Sequence, residues 1–298
     1  MAITLLMKTQ RAVSPDPMLR ARFLAPWEPR LSVLMIGLFA AGLCFLPPSL
    51  LESVDYVRFY KANFSFLTKA VSEGCLPLWN PYIGLGRPYL ADTQNAVFYP
   101  PLYLICLGQE LGLFFLVWLH CLLAWFGMRS LTTALGVGQW QSCFAALSYL
   151  ASGALTARWM TGQILYCCAL CYVPWLFWCA LRSQEAGWLG RRVALHALLL
   201  AGQFLCGHPQ VFWFSVIGQA AFLVGRGFHL SWRASLGATA KGLCQFATAC
   251  FWCLGLILVV LLPFLQLVGH GNRAASSPAF ANLFKLEWEH LRSLKGVS

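Results

Sequence analysis

Apolar residues run along this chain in long, nearly unbroken blocks, unlike the alternating or one-faced patterns of water-exposed strands and helices. A helix needs about 20 such residues to cross a ~30 Å hydrocarbon layer, and about 17 at the least. Seven blocks are long enough: residues 31–51, 110–128, 138–156, 161–181, 192–208, 210–226 and 242–268. Each predicts a transmembrane helix, and the last is long enough to tilt strongly or run past the lipid. A shorter block, 97–107, carries Pro100 and Pro101 near its head, which predicts a re-entrant or interfacial piece. Residues 55–72 follow another rule. Apolar or aromatic side chains fall at 56, 59, 60, 63–64, 67 and 70–71, with Arg58, Lys61 and Lys69 among them. That spacing predicts an amphipathic helix lying in the membrane interface. Between it and the second block stands "GCLPLWNPYIGLGRPYLADTQNAVFYPP", residues 74–101, a rigid, aromatic stretch predicted to be non-helical. The expected fold class is an all-α polytopic membrane protein. It has about seven transmembrane helices and a long first outer loop, 52–109, that carries the interfacial helix.

Composition supports the membrane reading. Of 298 residues, 59% are hydrophobic and only 10% charged, where soluble domains carry about 25%; mean hydropathy is +0.66. The net charge of +11 raises the question of nucleic acid. The basic residues form no dense patch, however, and lie between the apolar blocks, which argues for membrane orientation instead. With the N-terminus inside, the inner segments hold twelve basic residues (Lys8, Arg11, Arg20, Arg22, Arg30, Arg129, Arg182, Arg191, Arg192, Arg226, Arg233, Lys241) against Asp16, Glu28 and Glu185. This predicts a membrane protein with a cytoplasmic segment 1–30, a membrane domain 31–268 and an outer tail 269–298. The first block lacks a small-residue cleavage site and reads as a retained helix. The tail reads like the start of another outer loop, so a longer parent protein is expected. Of thirteen cysteines, all but Cys75 lie in or beside apolar blocks. The C-x-x-C spacings at 168–171 and 250–253 are buried in such blocks, so the cysteines read as small packing residues, not metal ligands or a disulfide framework.

This topology puts a set of polar residues on the outer face. Asp55 stands just past the first span. Trp79, Asn80, Tyr82, Asp92 and Gln94 belong to the 74–101 stretch, where Trp79, Tyr82, Tyr89, Phe98 and Tyr99 suit headgroup depth. "GHPQ" places His208 and Gln210 at the joint of the fifth and sixth blocks, and "GHGNR" places His270, Asn272 and Arg273 after the seventh. Polar groups at span ends are costly unless used or paired, so a functional site is the default hypothesis. Blander readings stand beside it: Asp55 as a helix cap, Asp92 as an Asx-turn residue, His208 as a satisfied interface histidine. His120 and His196 lie away from the outer face and read as structural. The glycosylation sequon Asn63-Phe-Ser65 is discounted as a chance match.

The block "LPLWNPYIGLGRPYLADTQNAVFYPP", with "GHPQ" and "LLPFLQLVGHGNR" after it, resembles the YfhO-type bacterial membrane proteins, which are regarded as glycosyltransferases of the GT-C class. The resemblance covers most of residues 50–273 and matches the N-terminal part of longer proteins. It implies a GT-C-like domain that takes a sugar from a polyprenyl-phosphate donor and passes it to a cell-envelope glycan or polymer. It also implies a catalytic acid early in the first outer loop, a position that Asp55 occupies. Asp55 and Asp92 are the candidate catalytic residues. Arg58, Lys61, Trp79, Asn80, Tyr82, Gln94, His208, Gln210 and Arg273 are the candidate substrate-binding residues. Asp55 with Asp92 offers carboxylate oxygens that would suit a divalent metal. Two other readings remain open: a transporter or flippase for lipid-linked saccharide, and an inactive fragment of a longer membrane protein.

Overall fold

The amphipathic pattern at 55–72 folds as a helix with one buried face. In a computed structural model, a π-helical turn, Tyr56–Tyr60, leads directly into α1, Lys61–Ser72. Tyr56, Tyr60, Phe64 and Leu67 lie in the core, while Arg58, Lys61 and Lys69 are exposed. The structure describes residues 53–183, 190–229 and 232–269. The first predicted span, segment 1–30 and the tail with His270, Asn272 and Arg273 lie outside the described residues.

The stretch after α1 is non-helical at first, as its prolines and glycines require. A two-stranded antiparallel ribbon, β1 (Trp79–Asn80) with β2 (Arg87–Pro88), pairs Trp79 with Pro88 and Asn80 with Arg87. Two 3₁₀ segments follow, Thr93–Asn95 and Pro100–Leu107. The second is the predicted proline-headed piece; its missing proline N–H groups fall at the helix start, where no partner is needed.

The rest is helical: α2 (Gln109–Ala134), α3 (Gln139–Leu150), α4 (Gly153–Met160), α5 (Ile164–Cys171), α6 (Val173–Arg182), α7 (Arg191–Leu205), α8 (Pro209–His229) and α9 (Trp232–Gly269). Among the described residues, three stretches are long and apolar enough to cross a membrane: Gln109–Ala134, Ile164–Arg182 and Gly237–Gly269. The block 138–156 is not one helix. It breaks at Ala151-Ser152 into α3 and α4, and residues 157–160, which separate the third and fourth apolar blocks, are the last turn of α4. The chain reverses instead at Thr161–Gln163.

Within the bundle, α2 packs on α3, α6 and the Pro100–Leu107 segment, and α9 packs on α7 and α8. The apolar window of Ile164–Arg182 is 67% buried against 17% for that of α9. The α5–α6 stretch is therefore the centre of the bundle. On α9, Phe251, Trp252, Leu254, Leu258 and Leu262 remain exposed, an all-apolar surface of the kind that lipid solvates. Two rings expected at headgroup depth are instead core: Tyr89 and Tyr99 are 0% and 1% exposed. Each hydroxyl finds an internal partner, Tyr89 donating to the Asn63 carbonyl at 2.7 Å and Tyr99 meeting His120 and Tyr172. A tyrosine so satisfied loses nothing by leaving water.

Candidate functional site

Two close glycine contacts bring the site together. Gly162 sits at φ +79, and a Cβ there would meet Ser53 Oγ at 2.0 Å and the Tyr56 backbone nitrogen at 3.0 Å. Only glycine lets the 161–163 reversal press against the chain entering the π turn. Its neighbour Gln163 then reaches Asp55, donating from Nε2 to Oδ2 at 2.9 Å. Asp55 is accordingly no helix cap: it has helical backbone angles and makes no side-chain cap bond. The other end of the same amide accepts from Arg158 at 2.8 Å. Gln163 thus stands between a guanidinium and a carboxylate and fixes both.

The second contact is Gly207, at φ +96, where a Cβ would lie 2.7 Å from the Thr93 carbonyl oxygen and 3.2 Å from Gln94 Cα. It draws the joint between α7 and α8 against the Thr93–Asn95 segment and so places His208 beside Gln94. Tyr60 Oη lies 3.2 Å from His208 Nε2. Tyr166 packs edge-on to the same imidazole, ring centroids 5.3 Å apart, and the Arg158 guanidinium lies over Tyr166 at 5.0 Å. Burial, with Arg158 nearby, lowers the His208 imidazole from its ordinary value of 6.5 to about 4, so the ring is neutral near pH 7. Burial also raises the Tyr60 phenol well above its ordinary range. Tyr60 therefore keeps its proton, and its hydroxyl and His208 Nε2 share one hydrogen bond whose direction follows the tautomer of the ring.

These groups share one cavity of about 620 Å³ lined by Asp55, Phe59, Tyr60, Gln94, Arg158, Gln163, Tyr166, His208, Gln210 and Phe214. Four residues singled out from sequence, Asp55, Gln94, His208 and Gln210, meet there. Phe214 is 74% exposed and gives the opening an apolar side.

The other expected residues lie elsewhere. Asp92 does not line the cavity. One oxygen pairs with the Arg87 guanidinium and the other accepts from the Gln94 backbone N–H at 3.0 Å, capping the Thr93–Asn95 turn. Burial pushes its carboxyl up, and Arg87 and the Gln94 N–H pull it part of the way back. With both oxygens engaged in the loop, Asp92 is poorly placed to share a cation with Asp55. Asn80 and Tyr82 line a second groove of about 410 Å³ with Ala62, Ser65, Phe66, Lys69 and Ile83. Asn80 is buried and accepts from the Tyr82 backbone N–H at 2.9 Å, while Lys69 donates to the Tyr82 hydroxyl at 3.3 Å. Trp79 is 54% exposed and packs over Gly86, where a Cβ would come within 2.6 Å of its indole. Arg58 and Lys61 are exposed and line neither cavity. Arg273 lies outside the described residues.

Family models, curated proteins and solved structures were compared with the chain, and none matches it.

Arg158, Gln163 and Tyr166 were not singled out from the sequence. A faint signal was there: Arg158 is an isolated cation in the short gap between two apolar blocks, and Gly162 precedes Gln163. Its importance comes from where the chain folds back, 108 residues away from Asp55 in the case of Gln163.

Proposed function

We propose that the chain is a membrane glycosyltransferase of the GT-C type, related to the YfhO-type proteins. It would move a sugar from a polyprenyl-phosphate donor to a hydroxyl of a cell-envelope acceptor on the outer face. The observation that carries this reading is the single cavity that collects a fixed carboxylate (Asp55), a guanidinium (Arg158), a neutral imidazole (His208) and two amide side chains (Gln94, Gln210), with Phe59 and Phe214 on its apolar side.

The chemistry follows from the roles open to each group. Asp55, held by Gln163, takes the proton of the acceptor hydroxyl as its oxygen attacks the anomeric carbon. The bond from that carbon to the donor phosphate breaks, and the phosphate leaves carrying the electron pair. Arg158 spends one N–H on Gln163 and keeps others for the phosphate oxygens, a charge-assisted contact suited to arginine. The neutral His208 offers a ring nitrogen to hydrogen-bond the sugar or the phosphate. The isoprenoid tail leaves past Phe214 toward lipid. Asp92 holds the loop that presents Gln94. About seven transmembrane helices and a cytoplasmic N-terminus complete the proposed topology.

The test is sugar transfer by the purified protein in liposomes, supplied with polyprenyl-phosphate sugars and an envelope-polymer acceptor. Asp55→Asn is expected to lower transfer by at least a hundredfold, in line with the 10²–10⁴-fold typical of a positioned base, while donor binding persists. An active protein in which Asp55→Asn transfers as well as wild type would refute the mechanism.

A further inference from the structure

Beneath this cavity lies a second constellation with different chemistry. His120 of α2, Cys168 of α5 and Cys206 at the end of α7 are all buried, and one ligand atom from each lies within 4.8 Å of the other two. The three helices bring them together from positions far apart in sequence. We propose that these residues form a thiolate–imidazole site for a thiophilic divalent cation, with Zn²⁺ as its natural occupant.

The state of the histidine supports the assignment. His120 Nδ1 lies 2.6 Å from the Leu116 carbonyl oxygen. A carbonyl only accepts, so Nδ1 carries the proton and Nε2 holds the free electron pair. Zinc-binding histidines are held in this way, with the second nitrogen donating to a backbone carbonyl. Nε2 now accepts from the Tyr99 hydroxyl. That hydroxyl has another partner, Tyr172 Oη at 2.8 Å, toward which its proton can turn when a cation takes the nitrogen. Tyr99 Oη then stands beside the cation as the fourth donor that tetrahedral zinc needs.

Ligand softness and charge choose the ion. Two cysteine sulfurs and an imidazole favour zinc or Cu⁺ over the hard cations that carboxylates hold. Binding Zn²⁺ releases two protons, one from each thiol, and the resulting two thiolates cancel the charge of the ion. The complex is neutral, which an apolar interior favours. Cu⁺ with two thiolates would leave a net negative charge there. The site would clamp α2, α5 and the end of α7 together. Cys206 immediately precedes Gly207 and His208, so the clamp would also hold the turn that positions the imidazole of the cavity above.

The test uses the full chain, purified in detergent without chelator. We expect about one zinc per chain by elemental mass spectrometry, retained on dialysis. Exchange for Co²⁺ should give sulfur-to-cobalt charge-transfer absorption together with the visible bands of a tetrahedral site. Cys168→Ala, Cys206→Ala and His120→Gln should each lose the metal and the cobalt spectrum. A zinc chelator should lower the unfolding temperature of the wild type but not of these variants. Because a variant can fail to fold, the wild-type protein decides independently. If it binds neither Zn²⁺ nor Co²⁺, takes up only Cu⁺, or carries a Cys168–Cys206 disulfide when isolated, the proposal is overturned. Retention of full zinc by folded variants would overturn it equally. None of these readouts depends on sugar transfer.

Discussion

At the scale of single residues, the cavity is organised by Gln163, whose two ends meet Asp55 and Arg158. Gln163→Leu keeps the volume but removes both bonds. It is expected to lower transfer about tenfold to a hundredfold and to lower the unfolding temperature as well, since a bond to a charged group contributes about 1.5–3 kcal/mol net. Steady-state kinetics check this, and kcat should fall more than donor KM rises. Arg158→Ala should do the reverse, raising donor KM in the same assay because the phosphate loses its guanidinium. His208 gives a pH prediction with a definite sign. Its imidazole is held at about 4 in the folded chain against an ordinary 6.5. Between these values the unfolded chain takes up a proton that the folded chain refuses. Stability therefore falls as pH drops from 6.5 toward 4, by up to about 1.4 kcal/mol per pH unit, and the term is absent above 6.5. Arg158, Asp55, Tyr60 and Tyr166 share its cavity, and Arg158 acts on the imidazole in the same direction as burial. Thermal unfolding in detergent across this range should show the slope, and His208→Gln should flatten it.

At the scale of elements, the joints matter more than the helices they connect. Gly162 and Gly207 both have positive φ, and both touch another segment where a side chain would stand. Gly162→Ala is expected to cost about 1–3 kcal/mol for the backbone conformation alone, and more for the overlap with Ser53. It should also reduce transfer by withdrawing Gln163 from Asp55. Gly207→Ala should act in the same way through Thr93 and Gln94. Unfolding temperature and transfer rate, measured on the same preparations, test whether the two effects occur together. The element pattern shows what the linear reading could and could not reach. The helix at 55–72 was legible because its apolar period of 3.6 residues directly reflects a buried face. The break at Ala151-Ser152 was not, because mean hydropathy stays high through it. Tyr89 and Tyr99 looked like interface rings for the same reason: a buried tyrosine and a headgroup tyrosine differ only in the partner of the hydroxyl.

At the scale of the whole molecule, the exposed apolar face of α9 and the central place of α5–α6 describe a bundle built for lipid. The proposed orientation puts the 52–109 loop outside, and Cys75 in that loop is exposed. Treatment of intact cells with a membrane-impermeant maleimide should therefore label the protein, and Cys75→Ser together with Cys106→Ser, at the other exposed cysteine of that loop, should remove most of that labelling. Labelling only after the membrane is broken would reverse the orientation. It would also remove the outer-face donor from the proposed function.

The order of apolar blocks along this chain determined by itself that it is helical and lipid-loving, because burial in hydrocarbon demands length and apolarity, which are local properties. It also singled out Asp55, Gln94, His208 and Gln210, since polar groups at the ends of such blocks are too costly to be idle. Only the tertiary structure decided that these four share a cavity, that Arg158 and Gln163 complete it, and that Asp92 is held by Arg87 in the loop. It alone brought His120, Cys168 and Cys206 within reach of one another. The physical reason is the same in each case. A contact between residues distant in the chain depends on how helices cross and where glycines let backbones touch, and neither leaves a period in the sequence.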